Sequence, residues 1–269
     1  MSAPPAEKLE EELRPLIQDP ARAAVLCDID GTLAPIVRRA DEAHVPEEIS
    51  RLLGRLGRRY RCVACVSGRS AAEARRLVGV GSITYAGSHG AELLEPGSSS
   101  PRVIPEFKGW EGRVRRFAAE QDARDLRALR VRIEDKGPIA AFHWRSVPDE
   151  EAARAHLEGV ARLAESSGLA THWGRKVLEI RPPVPIGKDK AVRELVARTR
   201  VRSALFGGDD ATDLDAFAAL ASMAEEGRLD DVVLVGVRSD EGPPAIVEQA
   251  DLVVDGVSGF ARVLEALAR

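Results

Sequence analysis

No stretch of this chain approaches the length of a membrane-spanning helix, and its N-terminus shows no secretory leader pattern, so it reads as neither membrane-embedded nor exported. Positive charge is not in excess either. The 39 Lys and Arg residues stand against 43 Asp and Glu, a formal charge of −4, and no global basic field exists to hold a nucleic acid. Cysteine is confined to Cys27, Cys62 and Cys65. An odd number, all in or beside apolar strands, speaks against a disulfide framework and for reduced thiols in a cytoplasmic protein. The Cys62-x-x-Cys65 spacing is surrounded by Val63, Ala64 and Val66, so it reads as strand packing rather than a metal or redox pair. No repeat recurs at a fixed period, and no low-complexity tract interrupts the chain.

What is present is an ordinary globular composition, 44% hydrophobic and 30% charged over 269 residues, enough for one large domain or two modest ones. The chain is organised around residues 25–33. An apolar run, Ala23 to Cys27, predicts a short buried strand that ends on Asp28 and Asp30. One residue apart on a strand, the two carboxylates would share a face, and Gly31 would let the chain turn closely past whatever they hold. Buried carboxylates need compensation, which a hard cation such as Mg²⁺ supplies while keeping waters and substrate phosphate in its shell. A plain polar turn is the simpler account of Asp-x-Asp-Gly taken alone. A calcium loop is excluded, because the segment runs into apolar Leu33 to Val37 instead of further oxygen ligands.

An N-terminal surface helix is expected over Glu7 to Ile17. After the acidic turn come a helix opening at Pro46, a strand Arg61 to Val66, a helix Ala71 to Val78 and a strand Ile83 to Ala86. That alternation predicts a parallel, doubly wound sheet. The rhythm then changes. An Arg-rich helix between Phe107 and Leu126, a hairpin of Arg130–Asp135 with Ile139–Arg145, a helix Asp149 to Ser167 and a second hairpin around Gly174 form an α+β unit. Pro182, Pro183 and Pro185 make a stiff return. The α/β rhythm resumes with a helix from about Lys190 to Arg198, a strand Ala204 to Gly207 and a helix Leu214 to Met223. Strands Val232–Val237 and Leu252–Val254 and a helix Phe260–Leu267 follow. The fold class is therefore α/β, a Rossmann-like core of residues 1–104 and 186–269 with an α+β domain inserted at 105–185.

Three strand ends carry polar motifs: Asp28/Asp30, Ser67/Arg69 and Asp209/Asp210/Asp213. Ligands of open α/β sheets bind outside the carboxyl ends of the strands, so these motifs are expected to converge. Each has a structural alternative. Ser67 could cap the helix near Ala71, Asp210 or Thr212 the helix after it, Arg69 could be a surface side chain, and Lys188 a solvated linker lysine. Their joint order suits phosphoryl transfer, which needs an in-line nucleophile, a cation and donors for the phosphoryl oxygens.

Asp28-Ile29-Asp30-Gly31-Thr32-Leu33 after an apolar strand resembles the first motif of the haloacid-dehalogenase-type phosphatases. That resemblance implies that Asp28 is the phosphoryl-accepting nucleophile and Asp30 the general acid/base. It further implies that Ser67 and Lys188 complete the catalytic set, and that Mg²⁺ is bound among Asp28, Asp30, Asp209, Asp210 and Asp213. The strings at 87–92, 133–137, 143–145, 177–182 and 208–213 resemble the trehalose-6-phosphate phosphatases more narrowly. In those enzymes the inserted unit is a cap over the sugar, which implies sugar contacts for Glu134, Lys136, Arg145 and Glu179, with Arg69, Ser88 and His89 on the core side. The polar face of a cap sheet would equally explain Glu134, Lys136 and Glu179. His143 reads as packing or hairpin pairing. Two positions depart from the family pattern. Lys188-Asp189-Lys190 stands where Lys-Gly is usual, making Lys190 an alternative to Lys188, and Leu214 replaces an acidic residue after Asp213.

The expectation is a cytoplasmic, Mg²⁺-dependent phosphatase acting on the sugar phosphate trehalose 6-phosphate, with trehalose-6-phosphate synthase as a functional partner and no nucleic-acid or membrane partner. The rival substrates are glucosylglycerol phosphate and mannosylglycerate phosphate. A non-catalytic sugar-phosphate sensor is the rival from another class, and the presence of both Asp28 and Asp30 counts against it.

Overall fold

The computed structural model describes residues 6–37, 42–122, 124–145, 147–174, 176–239 and 242–269. Its strands begin with β1 (Ala23–Cys27), β2 (Cys62–Val66), β3 (Thr84–Gly87), β4 (Glu92–Leu94) and β5 (Arg102–Val103). They continue with β6 (Arg132–Asp135), β7 (Ala140–His143), β8 (Ala170–Gly174) and β9 (Val177–Arg181), and end with β10 (Ser203–Gly208), β11 (Asp231–Arg238) and β12 (Leu252–Asp255). The helices are α1 (Ala6–Gln18), α2 (Glu47–Arg59), α3 (Ala71–Val78), α4 (Trp110–Gln121) and α5 (Arg124–Ala128). After them come α6 (Glu150–Ser166), α7 (Lys188–Thr199), α8 (Asp213–Glu225), α9 (Pro244–Glu248) and α10 (Gly256–Ala268). Backbone contacts divide the chain into two compact units, Met1–Arg102 with Ile186–Arg269, and Val103–Pro185.

The larger unit holds one eight-stranded sheet in the order β12-β11-β10-β1-β2-β3-β4-β5. From β12 to β3 every pairing is parallel, and β4 turns antiparallel to β3. All five residues of β1 are buried because helices cover both faces, which is why its sequence reads as an unbroken apolar run. Alternation divides them. Ala23, Val25 and Cys27 enter a core with residues of α1, α2 and α10, whereas Ala24 and Leu26 enter one with residues of α7 and α8. Strand order runs outward from β1 in both directions, so the crevice for a ligand lies at the carboxyl ends of β1 and β10.

The smaller unit is an antiparallel sheet, β6-β7-β9-β8. One face packs Phe142, Leu178 and Ile180 with Val114 and Phe117 of α4 and Leu157 and Val160 of α6. Across the other face Glu134, Ala141, Glu179 and His172 stand in register on the four strands.

Several expectations need correction. The helix expected between Phe107 and Leu126 is two, because Asp122 leaves the helical region and ends α4. Helix α7 starts at Lys188, two residues before the apolar periodicity that marks it. Strand β4 and the edge strand β5 depart from the expected pattern, being three and two residues long, too short to display a period. Among the described residues no helix is long and apolar enough to cross a membrane.

Candidate active site

Strand β1 stops at Cys27, so Asp28 and Asp30 occupy the turn beyond it rather than one strand face. The Asp28 amide donates to the carbonyl of Gly207 on β10, 2.9 Å away, which ties the first acidic turn to the second. Asp28 is 4% exposed and Asp209 2%, and Asp213 is fully buried. Oxygens of these three carboxylates lie within 4.8 Å of one another. Two glycines permit the crowding. A Cβ on Gly31, whose φ is +91°, would stand 2.1 Å from the Asp209 carboxylate, and one on Gly208 would stand 2.3 Å from that of Asp213. Thr32 Oγ donates to Asp209 at 3.3 Å.

The Lys188 ammonium faces this cluster. Lys188 Nζ is 3.0 Å from Asp28 and 2.6 Å from Asp213, and the side chain is 2% exposed. Lys190, the alternative, is exposed. Burial raises the Asp28 carboxyl well above its ordinary range, against the pull of Lys188. Burial and the neighbouring Asp213 and Asp210 charges push Asp209 up to about 7, and burial pushes Asp213 to about 6. Burial alone would depress Lys188, but Asp213, Asp28 and Asp210 more than offset it and hold the ammonium charged. Three buried carboxylates against one ammonium leave a surplus of negative charge on hard oxygen donors. That donor set fits a hard divalent cation.

Asp213 also organises the loop that presents Asp209. Its Oδ2 accepts the amides of Asp209 and Asp210 at 2.9 and 3.0 Å. Asp210 is half exposed on its side chain, and its Oδ1 accepts from the Thr212 amide and hydroxyl and from the Asp213 amide. It thus secures the turn into α8, and among the described residues it stands outside the three-carboxylate cluster, as does Asp30. The Asp30 carboxylate is gripped instead by Arg69, whose Nε and Nη2 donate to its two oxygens at 2.7 Å each.

Ser67 is buried at the end of β2, and its hydroxyl accepts from the Arg69 amide at 3.2 Å. It does not cap α3. Ser70 does, accepting from the Glu73 amide. The loop 87–90 locks onto this turn, with Ser88 N donating to Arg69 O and His89 N to Ser67 O. Ser88 and His89 both hold left-handed backbones, φ 50° and 54°, a costly conformation fixed by its surroundings.

In the smaller unit, Glu134 lies 2.7 Å from His143, whose hydrogen bond holds the carboxyl below the ordinary range. Glu179 is buried between Lys136 and Arg181. Arg145 is exposed beyond β7. The sequence reading did not single out Arg181, Glu73 or Thr32. Arg181 lies two residues after Glu179 on one strand face, Glu73 completes a Ser-x-x-Glu helix start, and Thr32 sits inside the first acidic motif. Those signals were there to be read.

The sequence model of a family described as Trehalose-phosphatase matches residues 26–242. A trehalose-phosphate phosphatase of Mycolicibacterium paratuberculosis is 32% identical over 262 residues, 91% of this chain and 62% of that protein. An uncharacterized glycosyl hydrolase of Mycobacterium tuberculosis is 34% identical over 226 residues, 81% of this chain but 17% of the relative. The chain thus spans less than two thirds of the length of either relative. The trehalose-6-phosphate phosphatase C-terminal domain of C. albicans superposes with a TM-score of 0.70 at 20% identity, covering 99% of this chain and 98% of that one, a likeness of fold.

Proposed function

This chain belongs to the trehalose-phosphatase family, and from that premise we propose that it hydrolyses trehalose 6-phosphate to trehalose and phosphate, with Asp28 as nucleophile and Mg²⁺ as cofactor. The observation that carries the reading is the buried set of Asp28, Asp209 and Asp213 around Lys188.

In the first half-reaction an oxygen of Asp28 bonds to phosphorus, the bond from phosphorus to the sugar oxygen breaks, and Asp30 gives that oxygen a proton. In the second, ionised Asp30 takes a proton from water while the water oxygen bonds to phosphorus and the Asp28–phosphorus bond breaks. Both groups are then regenerated and phosphate leaves. Asp28, Asp209 and Asp213 would hold Mg²⁺, whose charge offsets that of the phosphoryl oxygens. Lys188 restrains Asp28, and the Ser67 hydroxyl is a donor for the transferred group. Sugar recognition is assigned to Glu134, Lys136, Arg145 and Glu179 of the unit at 103–185, and further substrate contacts to Ser88 and His89 of the larger unit. Three free cysteines suit a reducing cytoplasm, and a trehalose-6-phosphate synthase would supply the substrate.

A phosphate-release panel tests the reading. Trehalose 6-phosphate should be preferred over glucosylglycerol phosphate and mannosylglycerate phosphate, and a chelator should stop turnover until Mg²⁺ is restored. Preference for another ester would reassign the substrate, and turnover indifferent to chelation would remove the cofactor.

A further inference from the structure

We propose that Arg69, backed by Glu73, is a positioning arm for Asp30 rather than a contact for the substrate phosphate. The proposal rests on the assignment of Asp30 as proton carrier. Asp30 lies beyond the end of β1 with its side chain 40% exposed, so a carboxylate that must aim at the reacting oxygen needs an external hold. Arg69 supplies it as a planar fork engaging both oxygens, while its third nitrogen, Nη1, donates to Glu73 at 2.8 Å. The Arg69 side chain is 12% exposed.

Its backbone is pinned on both sides, the amide by the Ser67 hydroxyl and the carbonyl by the Ser88 amide. Glu73 is fixed in turn on the first turn of α3, where its amide donates to the capping Ser70. The arm therefore runs from a capped helix end to the acid/base carboxyl.

Charge argues the same way. Glu73 alone matches the charge of this guanidinium whether or not Asp30 carries its proton, so the arm offers a phosphoryl dianion no net positive charge. A protonated Asp30 can keep one oxygen on Arg69 while the other presents its proton to the leaving sugar oxygen, so the arm need not let go during the first half-reaction.

The test compares leaving groups in the Mg²⁺-loaded enzyme. Proton delivery matters for an alkoxide and little for nitrophenolate, so Asp30→Asn should lower kcat/KM on trehalose 6-phosphate by roughly 10²–10⁴-fold and far less on p-nitrophenyl phosphate. Arg69→Met should show the same selectivity at about 10–100-fold, with inhibition by inorganic phosphate unchanged, and Arg69→Lys should recover part of the loss. Glu73→Gln should give a smaller loss of the same pattern. In Asp30→Asn, adding Arg69→Met should cost little more, since both changes disable one device. Equal losses on both esters in Arg69→Met with weakened phosphate inhibition would make Arg69 a phosphate ligand and overturn the arm. Additive losses in the double variant would overturn it too. If Asp30→Asn itself fails to separate the two esters, the proton-carrier assignment falls and the arm falls with it.

Discussion

Lys188 is a solvated linker residue by composition and a buried cation held by two carboxylates in the structure. Its removal would leave Asp28, Asp209 and Asp213 buried without a counter-charge, so Lys188→Ala should cost about 3–5 kcal/mol in denaturant unfolding of the metal-free protein. Asp28→Asn is the opposite case. It removes one of three mutually repelling carboxylates, so it should leave the fold intact while lowering phosphate release on the order of 10³-fold or more. Asp209 and Asp213 bind protons up to about pH 7 and 6 in the folded chain, against an ordinary value near 3.8 when unfolded. Between those values the folded state holds protons that the unfolded state has released. Their contribution to stability is thus complete below about pH 4 and is lost as pH rises through about 6 to 7. Melting of the chelated protein across this window should show the decline, and added Mg²⁺ should abolish it at the upper end.

At the scale of elements, the site depends on turns more than on strands. Gly31→Ala would place a methyl group against the Asp209 carboxylate and add about 1–2 kcal/mol of backbone strain, so Mg²⁺ affinity and turnover should both drop, read by calorimetry and phosphate release. In the smaller sheet, Glu179→Ala would remove a buried carboxylate that pairs with both Lys136 and Arg181, so its activity would report folding of that unit as much as sugar binding. Glu134 is the cleaner probe, being half-buried against His143. Glu134→Ala should lower kcat/KM on trehalose 6-phosphate by about 10–100-fold while sparing p-nitrophenyl phosphate. Parallel loss on both esters would move Glu134 out of sugar recognition.

For the whole molecule, Mg²⁺ should act as a folding ligand. A cation bound by the folded cluster and not by the unfolded chain stabilises by about 2.7 kcal/mol at a hundredfold excess over its dissociation constant. The melting temperature should rise with Mg²⁺ concentration in Asp30→Asn, whose carboxyl lies outside the cluster, and much less in Asp209→Ala. Equal rises in both would place the cation elsewhere.

What the residues alone determined is whatever rests on local pattern. The apolar runs ending in Asp28, Ser67 and Asp209 made the parallel sheet legible, because strands buried on both faces cannot hide polar residues. The convergence of these ends followed from the rule for open sheets, without coordinates. Only the tertiary structure decided how the acidic residues divide their work. Asp30 goes to Arg69, Asp210 to the turn of Thr212, and Asp28, Asp209 and Asp213 to one buried cluster. It likewise buried Lys188 against Asp28 and left Lys190, two residues further along α7, exposed. The physical reason is that a carboxylate's role depends on which charges stand within a few ångströms and how much water is excluded. Those are properties of residues distant in sequence, and no local pattern records them.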